Sequence, residues 1–244
     1  MPENKLRLNK FIAQSGLCSR RDADELIASG KVKVNGQVVD EAGFKVSSKD
    51  EVKVNGNVLR AKKLDYIVFH KPAGYITTSD DEKNRKTIYE FFPDHLKHLN
   101  PVGRLDKDSS GLLLMTNDGE LINQMTHPSI KIPKVYRVVV KGKMKEVDLE
   151  QMAKGIEIEP QKIAYADVML LEYENNKNSV LEVTLYQGLN RQIRKMTDYL
   201  GFPVISLKRI SHGAINLGTL KRGQYKFLKP NQVRDLKNYI KKCI

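Results

Sequence analysis

With 244 residues, of which 40% are hydrophobic, the chain is long enough to bury a substantial core, and this excludes global disorder. Its 42 Lys and Arg against 29 Asp and Glu give a formal net charge of +13, which favours a polyanionic partner. The sequence contains neither an 18-residue apolar run nor an apolar leader, so we expect a soluble, cytoplasmic protein with no membrane partner.

The charge is unevenly distributed along the chain. Residues 1–63 hold 13 basic and 8 acidic side chains, residues 64–184 hold 16 and 19, and residues 185–244 hold 13 and 2. Two basic zones therefore flank a slightly acidic middle. We expect both zones to contact a polyanion, and chance clustering of solubilising charges is the alternative.

Residues 1–63 predict a small helix-helix-hairpin domain. Apolar spacing indicates a short helix over residues 6–17, and a second helix follows Ser19, a typical N-cap residue. Two alternating segments, centred on the Asn-Gly pairs at 35–36 and 55–56, predict β-hairpins. We expect the domain boundary near residue 63, where several basic residues form a polar junction.

Residues 64–244 predict a larger α+β domain. Strands are predicted near residues 66–69, 112–116, 136–140, 163–173, 180–185, 204–210 and 225–228. Helices are predicted near residues 87–92, 119–126, 146–154 and 191–200. Because strands and helices do not alternate strictly, we expect a mixed, mainly antiparallel sheet. The basic tail at 237–242 is either a solvated helix or a further contact to the polyanion.

Several common cofactor and metal motifs are absent from the sequence. It lacks a phosphate-binding G-x-x-x-x-G-K-[ST] loop, a dinucleotide G-x-G-x-x-G motif and an H-E-x-x-H pair. The five His show no ligand-like spacing, and two Cys far apart do not form a metal knuckle. We therefore expect no metal site and no organic cofactor.

The first candidate catalytic segment is residues 101–111, PVGRLDKDSSG, which runs into the apolar segment 112–115. A loop with acidic and basic side chains, anchored by a buried strand, can hold a carboxylate rigidly in cationic surroundings. Asp106 and Asp108 are both candidate nucleophiles. An ion-paired surface turn is the alternative interpretation.

The second candidate segment is residues 187–196, QGLNRQIRKM, where a predicted strand ends and a helix begins. If the helix starts near Asn190, Arg191 and Arg194 lie on one face beside unpaired backbone N–H groups, which favour an anion. The anion is either a phosphate or the carboxylate of the first segment. The alternative is the solvated first turn of an Arg-rich helix.

Together these motifs resemble the bacterial ribosomal pseudouridine synthases. The resemblance is carried by GRLD at 103–106, SGLLL at 110–114, TNDG at 116–119 and NRQIRKM at 190–196. Residues 7–10, 18–23 and 30–36 resemble the RNA-binding module first known from ribosomal small-subunit protein four. The order and spacing match along nearly the whole chain, and GLNR at 188–191 is most similar to enzymes of large-subunit rRNA.

The resemblance implies a role for each of five residues. Asp106 is the catalytic aspartate, Arg104 helps to displace the target base, and Tyr136 stacks on the uracil. Arg194 pairs with the catalytic carboxylate, and Leu207 is an apolar pocket residue. Asp108, the other acid, is expected to face away from the site.

The resemblance also implies which residues contact RNA. In the catalytic domain these are Leu105, Lys107, Arg191, Gln192 and Ile193. In the first domain, basic side chains would contact phosphates in a salt-sensitive manner: Lys10, Arg20, Arg21, Lys31 and Lys33.

The implied activity is isomerisation of one uridine to pseudouridine in RNA, and 23S rRNA is the expected substrate. We expect the protein to be a monomer. The target base must leave its stack, which costs a few kcal/mol, and stacking on an aromatic ring offsets about 1–3 kcal/mol of it. The alternatives are a synthase acting on tRNA and a non-catalytic RNA-binding or ribosome-assembly factor.

Overall fold

The computed structural model describes residues 5–47, 49–60, 62–78 and 81–244. The chain divides into two compact units, Met1–Leu64 and Asp65–Ile244, one residue beyond the boundary expected from sequence. Within the described residues, no helix has the length and apolarity that crossing a bilayer requires.

The first unit contains two helices and two small sheets. Its elements in chain order are β1 (Leu6–Arg7), α1 (Leu8–Gln14), α2 (Arg20–Ala28), β2 (Val32–Val34), β3 (Gln37–Val38), β4 (Lys45–Val46), β5 (Val52–Val54) and β6 (Asn57–Val58). The four-stranded sheet has the order β3-β2-β5-β6, and β1 pairs with β4. The predicted helix-helix-hairpin arrangement is therefore present, although the first helix is shorter than residues 6–17.

Local sequence explains these elements. Ser19 caps α2: its hydroxyl accepts from the Asp22 backbone N–H, and the Asp22 carboxylate accepts from the Ser19 N–H. Asn35 and Asn55 adopt positive φ ahead of a glycine, as tight hairpin turns require. Alternating valines of β2 and β5 pack with the helices in one core.

The second unit is built on a long sheet. Its elements are β7 (Tyr66–Lys71), β8 (Asn100–Pro101), β9 (Ser110–Thr116), α3 (Gly119–Thr126), β10 (Lys134–Lys141), α4 (Glu146–Lys154), β11 (Ile156–Glu159), β12 (Lys162–Ala164), β13 (Asp167–Glu174), β14 (Asn178–Leu185), α5 (Gln192–Tyr199), β15 (Val204–His212), β16 (Ile215–Asn216), β17 (Tyr225–Phe227) and α6 (Pro230–Cys243). Short 3-10 turns occupy Ile88–Phe91 and Asp94–Leu96.

The nine-stranded sheet runs β13-β14-β10-β15-β9-β7-β17, with β16 on β15 and β8 on β9. All its described pairings are antiparallel except β9 with β15, which is parallel. This confirms the predicted mixed, mainly antiparallel sheet. Strands β11 and β12 form a separate pair.

Apolar clusters cover both faces of the long sheet. Ile67 and Phe69 of β7 belong to one cluster, and Val68 between them belongs to the other. Helices α4 and α5 contribute to the first cluster, and α3 and α6 contribute to the second. The alternation along β7 shows that this strand is buried on both sides.

Two predicted elements differ in the structure. The helix predicted near 87–92 is a single 3-10 turn, capped by Thr87. The basic tail is part of the 14-residue helix α6, which buries Leu236 and Ile240 and exposes Lys241 and Lys242, while Lys237 pairs with Asp118. Because one face of α6 is in the core, the tail is not a fully solvated helix.

Candidate active site

A central pocket of about 700 Å³ opens at the carboxyl end of β8 and along β10 and β15. Eight of the residues selected from sequence line it: Arg104, Leu105, Asp106, Tyr136, Arg191, Gln192, Ile193 and Leu207. Arg194 and Lys107 are not among the lining residues. The structure therefore brings both candidate segments to one cavity.

The Asp106 loop, residues 102–109, connects β8 to β9 and is held by the segment that follows β7. The Thr77 hydroxyl donates to the Leu105 carbonyl at 2.9 Å and accepts from the Leu105 N–H at 3.3 Å. The Gly74 N–H donates to the Lys107 carbonyl at 2.7 Å. The loop also closes on itself, because the Ser109 N–H donates to the Asp106 carbonyl at 3.1 Å.

The loop is also held by a buried lysine that sequence reasoning missed. Lys71 is 0% exposed, and its Nζ lies within hydrogen-bond distance of the Asp106, Lys107 and Ser109 carbonyls at 3.0, 3.3 and 2.8 Å. Burial lowers the pKa of Lys71 to about 8, although the nearby Asp106 and Asp108 carboxylates oppose that shift. The sequence signal that could have identified it is the position of Lys71 at the end of a predicted buried strand, directly before Pro72.

The two arginines of the second segment lie beside the main chain and side chain of Asp108. Arg194 Nη2 donates to the Asp108 carbonyl at 3.1 Å, and Arg191 Nη1 lies 3.9 Å from the Asp108 carboxylate. Among the described ion pairs there is none between Arg194 and Asp106, and Asp108, which we expected to face away from the site, is not one of the pocket-lining residues. These contacts differ from the expected pairing because the tight turn of the loop directs Asp108 towards α5.

Tyr136 and Leu207 form part of the pocket wall on neighbouring strands. Tyr136 is 8% exposed and stands opposite Arg209 in the β10–β15 register, while Leu207 stands opposite Val138. Residues paired in register share one face of a sheet, so the aromatic ring and the leucine lie on the same side. This wall suits a flat, partly apolar ligand.

The remaining residues predicted to contact RNA fall into two groups. Leu105, Gln192 and Ile193 are buried, and Gln192 Nε2 donates to the Tyr165 carbonyl at 2.9 Å. They can contact only a group that enters the pocket. Arg104 and Lys107 are exposed, so they can reach a ligand outside it.

A second feature missed by sequence reasoning is a group of nitrogen-bearing side chains on the same wall, here called the Arg209 cluster: Lys134, Arg209 and His212. Burial lowers the pKa of Lys134 to about 8, helped by the charge of Arg209. Burial also holds the pKa of His212 well below its usual value, and the positive charges of Arg209 and Lys134 act in the same direction. This part of the pocket is cationic.

The pocket combines one carboxylate, an aromatic wall and several cationic groups. Among the described residues, Asp106 is the single acidic one that lines it, and the basic ones are Arg104, Lys131, Lys134, Arg191 and Arg209. Across the described part of the chain, no cluster of three His, Cys, Asp or Glu side chains could hold a metal ion. The arrangement can bind an anionic, planar ligand and present it to a nucleophile or base.

The basic residues predicted in the first unit lie on its surface. Arg20 and Arg21 are exposed at the start of α2, Lys31 and Lys33 are exposed around β2, and Lys10 is half-buried on α1. Among the residues that the structure describes, none of the five is in an ion pair. Their charges are available to a polyanion.

Comparison with known proteins gives two family matches. Residues 65–199 match the model of the RNA pseudouridylate synthases, and residues 6–52 match the S4 domain. The ribosomal large subunit pseudouridine synthase B of Bacillus subtilis (strain 168) is 42% identical over 232 residues, covering 95% of each protein. An uncharacterized RNA pseudouridine synthase of Aquifex aeolicus (strain VF5) is 39% identical and covers 95% of this chain and 94% of its own.

A solved structure also matches the whole chain. A crystal structure of a pseudouridylate synthase superposes with a TM-score of 0.68 at 30% identity. The match covers 95% of this chain and 99% of that one. The similarity therefore spans both units.

Proposed function

The chain belongs to the RNA pseudouridine synthase family, and on that premise we propose that it isomerises a specific uridine of 23S rRNA with Asp106 as its catalytic carboxylate. The observation that carries the proposal is the position of Asp106, the single acidic side chain that lines the central pocket within the part of the chain that the structure describes. The substrate is inferred from the large-subunit enzyme that is 42% identical over 95% of the chain.

Isomerisation places clear demands on the site. The bond from ribose to ring nitrogen breaks, the uracil turns, and a new bond forms at ring carbon five, so the detached base must stay captive. Asp106, when ionised, can attack the nucleoside or accept a proton from its ribose. The hydrogen bonds of Lys71 and Thr77 to the loop hold that carboxylate in place while the base turns.

The other proposed roles follow from the pocket wall. Tyr136 stacks on the flipped uracil, and Leu207, Leu105 and Ile193 exclude water around it. Arg104, exposed at the pocket mouth, fills the space that the base leaves in the RNA. Gln192 braces the wall through the Tyr165 carbonyl.

The arginines of the second segment act through the loop. Arg194 holds the Asp108 main chain, and Arg191 places positive charge beside the loop and at the pocket rim. Lys107 and the surface residues Lys10, Arg20, Arg21, Lys31 and Lys33 bind RNA phosphates.

We further propose that the enzyme is a cytoplasmic monomer that needs no metal or organic cofactor. The reaction is a balanced rearrangement within one nucleoside and therefore requires no oxidant, reductant or second substrate. We expect the enzyme to keep full activity after exhaustive treatment with EDTA. We also expect sedimentation to give the mass of one protomer.

Asp106→Asn and Asp108→Asn form a matched pair that tests the catalytic role. We expect Asp106→Asn to abolish tritium release from RNA labelled at uracil carbon five while RNA affinity stays within a few-fold. Asp108→Asn, two residues away on the exposed side of the loop, should retain turnover. Turnover by Asp106→Asn would refute the assignment, and absence of release by the unmodified enzyme would favour a non-catalytic RNA-binding or assembly factor.

The substrate is tested by carbodiimide primer extension on rRNA and tRNA from cells with and without the gene. Loss of one signal in 23S rRNA is the expected result. Loss confined to tRNA would replace the rRNA proposal with the tRNA alternative.

A further inference from the structure

The Arg209 cluster has no part in the chemistry described above. Lys134 stands opposite His212 in the β10–β15 register, and Tyr136, two residues along, stands opposite Arg209. All four side chains line the central pocket. The cluster therefore lies on the same sheet face as the proposed stacking ring, at neighbouring positions.

Hydrogen-bonding capacity in this cluster is left unused. Arg209 is 2% exposed; its Nε donates to the Leu112 carbonyl at 2.7 Å, but its Nη2 has no partner among the described residues. His212 is 1% exposed and lies near the Met125 main chain, yet neither ring nitrogen makes a hydrogen bond of normal geometry within the described part of the protein. Lys134 Nζ donates to the Ile132 carbonyl at 3.1 Å.

The cluster also has no counterion among the residues that the structure describes. The charged groups close to Lys134 are Arg209 and Lys131, and those close to His212 are Arg209 and Lys134. None of the ion pairs formed by described residues includes Lys134, Arg209 or His212. Arg209 is a fully buried cation without an ion-pair partner, which is unfavourable, so a purely structural role would leave this wall destabilised.

A ligand can remove that penalty only if it is an anion. A uracil carbonyl would accept a hydrogen bond from Arg209 but would leave the charges uncompensated. A phosphate supplies both charge and several acceptors, and a guanidinium binds it with two parallel hydrogen bonds.

We propose that the Arg209 cluster binds a backbone phosphate adjoining the flipped uridine, so that the nucleotide is held by base and phosphate together. This inference rests on the proposed function, because it takes the ligand to be RNA. The adjacent positions of Tyr136 and Arg209 on paired strands match the short distance between the base and phosphate of one nucleotide. The phosphate contact would keep the ribose over Asp106 while the base is detached.

The decisive experiment uses a short RNA containing the mapped uridine, with each flanking phosphate replaced in turn by a neutral methylphosphonate. Affinities are measured by fluorescence anisotropy with the full-length Asp106→Asn variant, which does not turn over. We expect one methylphosphonate to weaken binding about tenfold, equal to about 1.4 kcal/mol. Adding Arg209→Gln should weaken binding of the normal RNA similarly and cause no further loss on that methylphosphonate RNA.

Independent, additive losses would overturn the proposal, as would the absence of a sensitive phosphate. Lys141→Gln is the matched control, since Lys141 ends the same strand as Lys134 but is exposed and outside the pocket lining. Lys134→Gln provides a second variant that should show the same non-additivity if Arg209→Gln does not fold.

A catalysis-free measurement separates this inference from the proposed function. Uridine 5′-monophosphate should raise the Tm of the unmodified enzyme more than uridine does, and Lys134→Gln should remove the difference. Equal stabilisation by inorganic phosphate alone would identify a free-anion site and overturn the RNA assignment. If no pseudouridine is found in cells, the proposed function fails, whereas this comparison still tests the cluster.

Discussion

Replacing Lys71 with methionine tests whether a buried ammonium group holds the Asp106 loop in place. The Lys71 Nζ contacts four carbonyls, those of Pro72, Asp106, Lys107 and Ser109, and the contact to Ser109 is fully buried. An ammonium has three N–H donors, and hydrogen bonds to charged groups contribute about 1.5–3 kcal/mol each. Methionine has a similar length and removes all of them.

The loss is partly offset, because the variant no longer buries a cation. Burial lowers the pKa of Lys71 from 10.5 to about 8, which corresponds to about 3 kcal/mol at neutral pH. We therefore expect Lys71→Met to lower the free energy of unfolding by about 1.5–6 kcal/mol. A loop displaced by about 1 Å should also lower kcat roughly 100-fold.

Urea unfolding measures the first effect, and tritium release under saturating RNA measures the second. Lys226→Met is the control, since Lys226 is exposed on the neighbouring strand β17. RNA affinity should change little, because Lys71 does not line the pocket. If Lys71→Met matched the unmodified enzyme in both stability and kcat, the contacts of Gly74 and Thr77 would be sufficient to hold the loop and the reasoning would be refuted.

Three further predictions concern the titration of Lys71, the space at Gly111 and the Arg20–Arg21 pair. Between pH 8 and 10.5 the unfolded chain keeps a proton on Lys71 that the folded protein loses. In urea titrations, the stability of the unmodified enzyme should therefore rise with pH relative to Lys71→Met, by up to about 3 kcal/mol. A constant difference in stability would contradict the lowered pKa of Lys71. Gly111→Ala should destabilise the enzyme by about 3 kcal/mol or more in denaturant unfolding, because the new Cβ would lie 2.2 Å from the Arg209 carbonyl oxygen and φ there is +112°. Gly119→Ala is the control, since a Cβ at residue 119 would meet no atom within 4 Å. The double variant Arg20→Ala, Arg21→Ala should flatten the slope of log affinity against log salt by about 1.5, and an unchanged slope would remove both residues from the RNA interface.

Local signals accounted for much of the fold. The Ser19 cap and the two Asn-Gly turns are short-range features whose structures depend on only a few neighbouring residues. The same holds for the loop that presents Asp106, whose neighbouring glycine and following apolar strand mark it as anchored. Assigning its role needed the family resemblance, because spacing alone left Asp106 and Asp108 equivalent.

The parts that sequence could not predict depend on distant pairings. Lys71 meets the Asp106 loop 35 residues away, and Arg209 reaches Leu112 across 97 residues. No periodicity within either segment indicates which strand will become its neighbour. The orientation of Asp108 towards Arg191 and Arg194 likewise depends on the turn between Asp106 and Ser109 together with the placement of α5.

The parallel pairing of β9 with β15 sets the order in which the protein can become active during translation. This pairing joins Ser110 and Gly111 to Lys208 and Arg209, so the pocket lacks a wall until β15 has left the ribosome. The first 64 residues form a separate compact unit and emerge much earlier. A nascent chain can thus fold its S4 domain long before its active site exists, and the pocket is complete only after residue 212 has been made.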